Sequence, residues 1–196
     1  MEDAMELPPR LDPDEIVYLN DFVSKLPDDK LVVEWGSGGS TMMFLPYMTT
    51  GKFVSIEHNQ EWFDKVSKAL VDTDLPKACY DNFVYCYQPP SYLGGNVDIR
   101  FYGYGVPFEE NPCFAASYID PGLRYTKLFN ADMYFVDGIC RGAVLATIAS
   151  KAVKRDAAVF IHDYYGDERR EDWYKWASNL YTKVEKVGST LARLYL

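Results

Sequence analysis

The residues able to do chemistry fall into a few short clusters. Glycines punctuate the run Glu34-Trp35-Gly36-Ser37-Gly38-Gly39-Ser40. A glycine turn lets backbone approach a ligand closely, and a helix opening behind it offers N–H groups with no intrahelical partner. Glu57 stands 23 residues after Glu34, where a carboxylate can accept hydrogen bonds from ribose hydroxyls. The turn holds no lysine and lacks the Gly-Lys-Ser/Thr ending of a phosphate-binding loop. Two carboxylates without a cation suit a nucleoside poor in negative charge better than a phosphate. Asp137-Gly138 and His162-Asp163 form two further polar pairs. An imidazole near neutral pKa, such as that of His162, suits general-base work on a hydroxyl. A structural histidine bonded to backbone fits the same sequence.

These clusters need elements to hold them. Asp12-Pro13-Asp14-Glu15 combines an N-cap, a first-turn proline and a glutamate three residues after the cap. It predicts an N-terminal helix over 12–27, preceded by a loose arm. Strands are predicted at Leu31–Trp35, Lys52–Glu57, Phe83–Tyr87, Met133–Val136 and Ala157–Ile161. Helical patterns separate most of them: a short apolar one to about Met48, one capped by Asn59, and one carrying Val144, Leu145 and Ile148. The tail, Thr182–Val187 and Thr190–Leu196 around Gly188-Ser189, reads as an antiparallel hairpin. Alternating strands and helices predict an α/β fold with a mostly parallel sheet and helices on both faces. Ligands of such sheets bind outside the carboxyl ends of the strands, and each polar cluster above follows a predicted strand end. Residues 89–130, rich in Tyr and Gly, show no clean periodicity and are expected to form an insertion or lid.

The 196 residues fit one domain spanning 1–196. Formal charge is −9, which removes the electrostatic footprint of a general nucleic-acid or anionic-membrane binder. A small neutral, cationic or sugar-like partner fits better. Cys79, Cys86, Cys113 and Cys140 match no metal-binding or dense disulfide spacing. No apolar signal core opens the chain and no run is long enough to span a membrane. The expectation is a cytoplasmic protein, its oligomeric state open.

Three segments together resemble a known family: Glu34-Trp35-Gly36-Ser37-Gly38-Gly39-Ser40-Thr41, Ser55-Ile56-Glu57-His58 and Phe135-Val136-Asp137-Gly138. Their order and spacing resemble the motifs of class I S-adenosylmethionine-dependent methyltransferases, over roughly residues 30–196. The resemblance implies a Rossmann-like methyltransferase fold of seven strands, the last antiparallel. It implies cofactor contacts from Glu34, Gly36, Ser37, Gly38, Gly39, Ser40, Glu57, His58 and Asp137, with Glu57 on the ribose. The chain departs from the family's commoner GxGxG order.

A partial resemblance to small-molecule O-methyltransferases implies that Asp137, His162 and Asp163 face the acceptor. In the metal-dependent branch such carboxylates hold a divalent cation, and Asp137 and Asp163 can supply hard oxygen ligands. Without metal, His162 or Asp163 is the candidate base. The implied activity is methyl transfer to an oxygen of a small-molecule or sugar-like acceptor. Two other classes stay open: a non-catalytic binding module of the same fold, and an NAD(P)-dependent oxidoreductase. The second expects GxGxxG, and Thr41 stands at its third glycine. Arg141, at a helix start where the dipole disfavours a cation by ~0.3–1 kcal/mol, predicts an ion pair with Asp137 or Asp163, or a substrate anion. Tyr164 and Tyr165 either line the acceptor site or pack. Trp173 and Trp176 are expected in the core, and Asp167–Asp172 as a solvated helix start.

Overall fold

The computed structural model describes residues 7–88, 116–121, 127–166 and 174–196. Helix α1 is Pro13–Ser24, and the Asp12 N–H donates to the Glu15 carboxylate at 3.1 Å, as the capping pattern predicts. Strand β1 (Leu31–Trp35) leads to α2 (Gly39–Phe44). The apolar pattern reaches Met48, but Pro46 has no N–H for an α-helical bond, and Leu45–Tyr47 tighten into a 3-10 turn. Strand β2 (Lys52–Glu57) leads to α3 (Gln60–Asp72), whose Asn59 cap accepts from Trp62 N at 2.9 Å. A short α4 (Lys77–Asp81), absent from the sequence reading, precedes β3 (Phe83–Tyr87). Helix α5 (Ala116–Ile119) and a 3-10 turn at Leu128–Asn130 lie inside the expected insertion. The remaining elements are β4 (Met133–Val136), α6 (Arg141–Lys151), β5 (Ala158–Ile161), β6 (Lys183–Val187) and β7 (Leu191–Tyr195).

The seven strands form one sheet in the order β3-β2-β1-β4-β5-β7-β6. Strands β1 to β5 pair in parallel, and β7 is antiparallel to both its neighbours. The order reverses between β1 and β4, which puts the ligand-binding crevice of such a sheet at their carboxyl ends. The central strands are apolar on both faces because helices cover both. Val33, Trp35, Val54, Ile56, Tyr134 and Val136 face one core with α6. Val32, Phe53, Met133, Phe135 and Phe160 face the other with α1, α2 and α3. Among the described residues no helix is long and apolar enough to cross a membrane.

Three expectations need correction or placement. Trp176 is 41% exposed; its ring lies over Gly142 on α6 rather than in the core, because helical spacing tells which residues share a face, not whether that face is covered. The arm is not loose at 7–11: Pro8 and Pro9 press on Gly39. Trp173, Cys113 and Asp167–Asp172, like most of 89–130, lie outside the described residues. Cys79 and Cys86 are buried and reduced, and Cys140 is half-buried and reduced.

A buried glutamate joins the two ends of the chain. Glu15 has no exposed surface. Its carboxylate accepts from Thr190 N at 2.7 Å and Leu191 N at 2.8 Å, at the turn between β6 and β7. The Thr190 hydroxyl adds a bond at 3.0 Å. Charge-assisted bonds of this kind contribute about 1.5–3 kcal/mol each, and the orphaned donors would be costly. Glu15→Ala should therefore lower the unfolding free energy by roughly 3 kcal/mol or more, measured by urea denaturation. A loss under ~1 kcal/mol would show that the hairpin holds its place without this tie.

Candidate active site

The glycine turn is shaped by contacts on both sides. Gly36 has φ +89°, and a Cβ there would sit 2.4 Å from Gly138 N. The backbones leaving β1 and β4 thus touch, which only glycine permits. A Cβ on Gly39 would meet Pro9 N at 2.2 Å, so the N-terminal arm lies directly on the turn. At Gly38 the extended backbone imposes no such demand. Thr41 Oγ1 accepts from Gly38 N at 2.9 Å and closes the start of α2.

Glu34 lies under this turn, without exposed surface. It accepts from Ser40 Oγ at 2.5 Å, Thr41 Oγ1 at 2.6 Å and Ser55 Oγ at 2.6 Å. Burial raises its pKa to about 7, against the three hydroxyl bonds that favour the carboxylate. It shapes the turn from below rather than meeting a ligand.

Glu57 ends β2 beside the turn, only 2% exposed. Oε2 accepts from Ser37 N at 2.9 Å and Ser37 Oγ at 3.1 Å. Oε1 accepts from His58 N and Asn59 N, each at 2.8 Å, and His58 Nδ1 lies 2.9 Å away. Burial alone would push the carboxyl up; the His58 ring and the Asn59 and Ser37 N–H groups outweigh it and hold the pKa below the usual range. Ser37 Oγ has a second neighbour, Tyr85 Oη at 2.5 Å, and Trp62 Nε1 donates to Ser37 O at 2.5 Å. Ser37 is thus gripped by three elements.

The tips of β4 and β5 carry the third group. His162 Nδ1 lies 2.8 Å from Asp137 Oδ1. An ionised carboxylate can only accept, so Nδ1 carries the proton and Nε2 holds the basic lone pair of the neutral ring. Burial would lower the His162 pKa, but the bond to Asp137 and the charges of Asp137 and Asp163 raise it above 6.5. Arg141 stands between the two acids, 3.1 Å from Asp137 Oδ1 and 3.2 Å from Asp163 Oδ2. The ion pair expected of its awkward position at a helix start is therefore formed twice. Tyr164 packs: it is 7% exposed and its hydroxyl donates to Ser178 Oγ at 3.0 Å.

A cleft of about 460 Å³ joins these parts. The turn residues Ser37, Gly38, Gly39 and Ser40 line it, with Asp137, His162 and Asp163 and with Arg141. Glu34, Gly36, Glu57 and His58 do not line it. Sequence reasoning missed Leu7–Leu11, Trp62 and Lys65 at its mouth. Pro8-Pro9 immediately before a capped helix was the available signal, since such a dipeptide is stiff and extended. Tyr118 was also missed as a site neighbour. Among the described residues its buried hydroxyl has no hydrogen-bond partner. It lies against Gly138, and its ring meets His58 edge-on at 5.3 Å.

No protein-family model and no curated protein sequence matches this chain. Solved structures do. A methyltransferase-like protein from Silicibacter pomeroyi superposes with a TM-score of 0.70 at 18% identity, covering 97% of this chain and 89% of that one. Precorrin-6y C5,15-methyltransferase from Geobacter metallireducens gives 0.59 at 11% identity, over 98% and 93%. The tRNA (m1A58) methyltransferase TrmI from Aquifex aeolicus gives 0.55 at 15%, over 98% and 72%. With the strand order, the antiparallel β7 and the glycine turn, these likenesses establish that the chain has the Rossmann-like fold of the class I S-adenosylmethionine-dependent methyltransferases.

Proposed function

We propose that this chain transfers a methyl group from S-adenosylmethionine to an oxygen of a small-molecule or sugar-like acceptor. One observation carries the reading: the turn residues Ser37–Ser40 and the His162–Asp137 pair line the same cleft at the sheet's switch point. The cleft volume is that of a small-ligand site. Its residues fit the cofactor: the turn lacks a lysine, and the Tyr118 hydroxyl, which has no hydrogen-bond partner among the described residues, lies buried against Gly138 where the strand tips meet. The bound cofactor supplies an electrophilic methyl on a sulfonium.

Glu57 takes the ribose in this reading, though its lone pairs are engaged. The longest of its bonds comes from Ser37 Oγ, which can turn to Tyr85 instead. That exchange frees an acceptor for a sugar hydroxyl and obliges the Tyr85 hydroxyl, which then accepts from Ser37, to donate elsewhere. His162 removes the acceptor's proton through Nε2, while Asp137 fixes the ring and stabilises the imidazolium that forms. Positioning two reactants in one cleft supplies much of the remaining effect.

The saturated Glu57 equally suits a fold kept only for binding other partners, and ligand binding separates the readings. S-adenosylhomocysteine at about 100 times its Kd should raise the melting temperature by roughly 5–10 °C. NAD and NADP should not. Glu57→Ala should abolish this shift and His162→Ala should preserve it. No shift in the native chain rejects the cofactor, and a shift from a nicotinamide alone points to redox chemistry. An unchanged shift in Glu57→Ala rejects the ribose role.

The raised pKa of His162 sets a pH dependence. The base works when neutral, so the rate should climb with pH through a midpoint above 6.5. His162→Ala should cost about 10²–10⁴-fold and flatten that limb. Stability runs the other way. The protonated ring paired with Asp137 favours the fold fully below pH 6.5, and this contribution fades as pH rises through the native pKa. A midpoint at or below 6.5 would mean that another group is the base.

A further inference from the structure

Asp137, His162 and Asp163 form the one cluster among the described residues with the chemistry of a cation site. One ligand atom from each lies within 4.8 Å of the others. Two carboxylates and an imidazole suit a divalent metal, and the metal-dependent branch of small-molecule O-methyltransferases implies one here. The donor set does not fit it, because a cation is already in place. Arg141 directs all three of its guanidinium nitrogens into this corner. Nε donates to Gly138 O at 2.9 Å. Nη1 donates to His162 O at 2.5 Å and to Asp163 Oδ2 at 3.2 Å. Nη2 donates to Asp137 O at 3.2 Å and lies 3.1 Å from Asp137 Oδ1. Each donor has an acceptor, and both carboxylates are among them. Asp137 Oδ1 also holds the His162 ring.

A metal would have to displace the guanidinium or lie against its charge. Displacement is opposed by the carbonyls, which belong to the strand tips themselves. Arg141 is anchored at Asp137, Gly138 and His162 by backbone oxygens that cannot follow a departing side chain. It starts α6, so its own backbone is fixed too.

We propose that the Arg141 guanidinium takes the place of a divalent cation among Asp137, His162 and Asp163, closing the cluster to metal. An acceptor then binds through a single nucleophilic group presented to His162, not through paired oxygens chelating a cation. The second statement rests on the methyl-transfer reading; the first stands without it.

Cobalt(II) titration of the full chain, without an affinity tag and after treatment with chelator, tests this by visible absorption and calorimetry. The native chain should bind no Co²⁺ at the cluster. Arg141→Ala, or Arg141→Met with the stem retained, should bind one equivalent of Co²⁺, with the visible absorption of a coordinated ion that the native chain lacks. Adding Asp163→Ala should remove the gain. Arg141→Lys keeps the cation and should stay closed. Circular dichroism identifies the folded variants. Tight Co²⁺ binding by the native chain overturns the proposal, as does a folded Arg141→Ala or Arg141→Met that binds no better. If neither variant folds, the native titration still decides, since binding there refutes the closed cluster and its absence supports it. The thermal shift with S-adenosylhomocysteine is independent. Its failure removes the acceptor statement and leaves the metal result intact.

Discussion

A carboxylate cut off from water sits under the glycine turn, and the turn takes its shape from it. Glu34 gathers hydroxyls from Ser40 and Thr41 on α2 and from Ser55 on β2. Removing the carboxylate would leave three buried hydroxyls seeking partners in an apolar layer with Phe44 and Phe53. Desolvation still outweighs the three bonds, since the pKa stands near 7 rather than near 4.5. The group is therefore at the edge of ionisation at neutral pH. Protonated, it would donate to one hydroxyl; ionised, it accepts from all three. Both states hold the same neighbours, so the turn tolerates either. Ser40 and Thr41 are thereby pinned at the start of α2, and Ser37, three residues earlier, reaches Glu57 and Tyr85 at fixed distances.

The opposite wall is organised by a charge of the other sign. Arg141 ties β4 to β5 through backbone carbonyls at both tips. The two described non-glycine residues with positive φ are its neighbours in this network: Cys140 at 52°, preceding it, and Asp163 at 58°, paired to it. Left-handed backbone at such residues costs on the order of 1–3 kcal/mol. The guanidinium bonds offset that cost by fixing the carbonyls and carboxylate these turns present. Strain, a buried cation and a histidine with a raised pKa thus coincide at one corner, the pattern expected where geometry matters more than stability.

The sheet was legible because its strands are short apolar runs bounded by polar ends. Lys52–Glu57 and Phe83–Tyr87 match their predicted limits, and β5 begins one residue later than read. The hairpin was legible from Gly188-Ser189. Less legible was where each strand-end side chain turns. Glu34 and Glu57 stand in similar sequence settings, yet one lies beneath the turn and the other beside it. Ser55, a hydroxyl within a buried strand and in register with Glu34, was the only hint of the difference. Trp176 misled because periodicity defines a face without saying what covers it. The arm's grip on Gly39 depends on a contact between segments far apart in sequence: Pro8-Pro9 signals a stiff stretch but not what it lies against.

With the acids and Arg141 mutually satisfied, recognition falls to few groups. Glu57 accepts four hydrogen bonds with the His58 ring beside it, and each guanidinium nitrogen of Arg141 is engaged. What the cleft still offers is the backbone of Gly39 and Ser40, the Nε2 side of His162, and two cations in its lining. Among the described residues Arg10 has no ion pair, and Lys65 lies over the Trp62 ring at 4.6 Å. A ligand here gains little from displacing the internal pairs, since each displaced partner would be left half-buried and without its counter-charge. It gains more by fitting between them. Selectivity would then come from shape and from the placing of one hydroxyl against His162, while the charged network holds both walls still. The fold is shared with a precorrin-6y C5,15-methyltransferase and a tRNA (m1A58) methyltransferase, so in the proposed reading what the cleft accepts is set by the residues that line it, not by the sheet behind it.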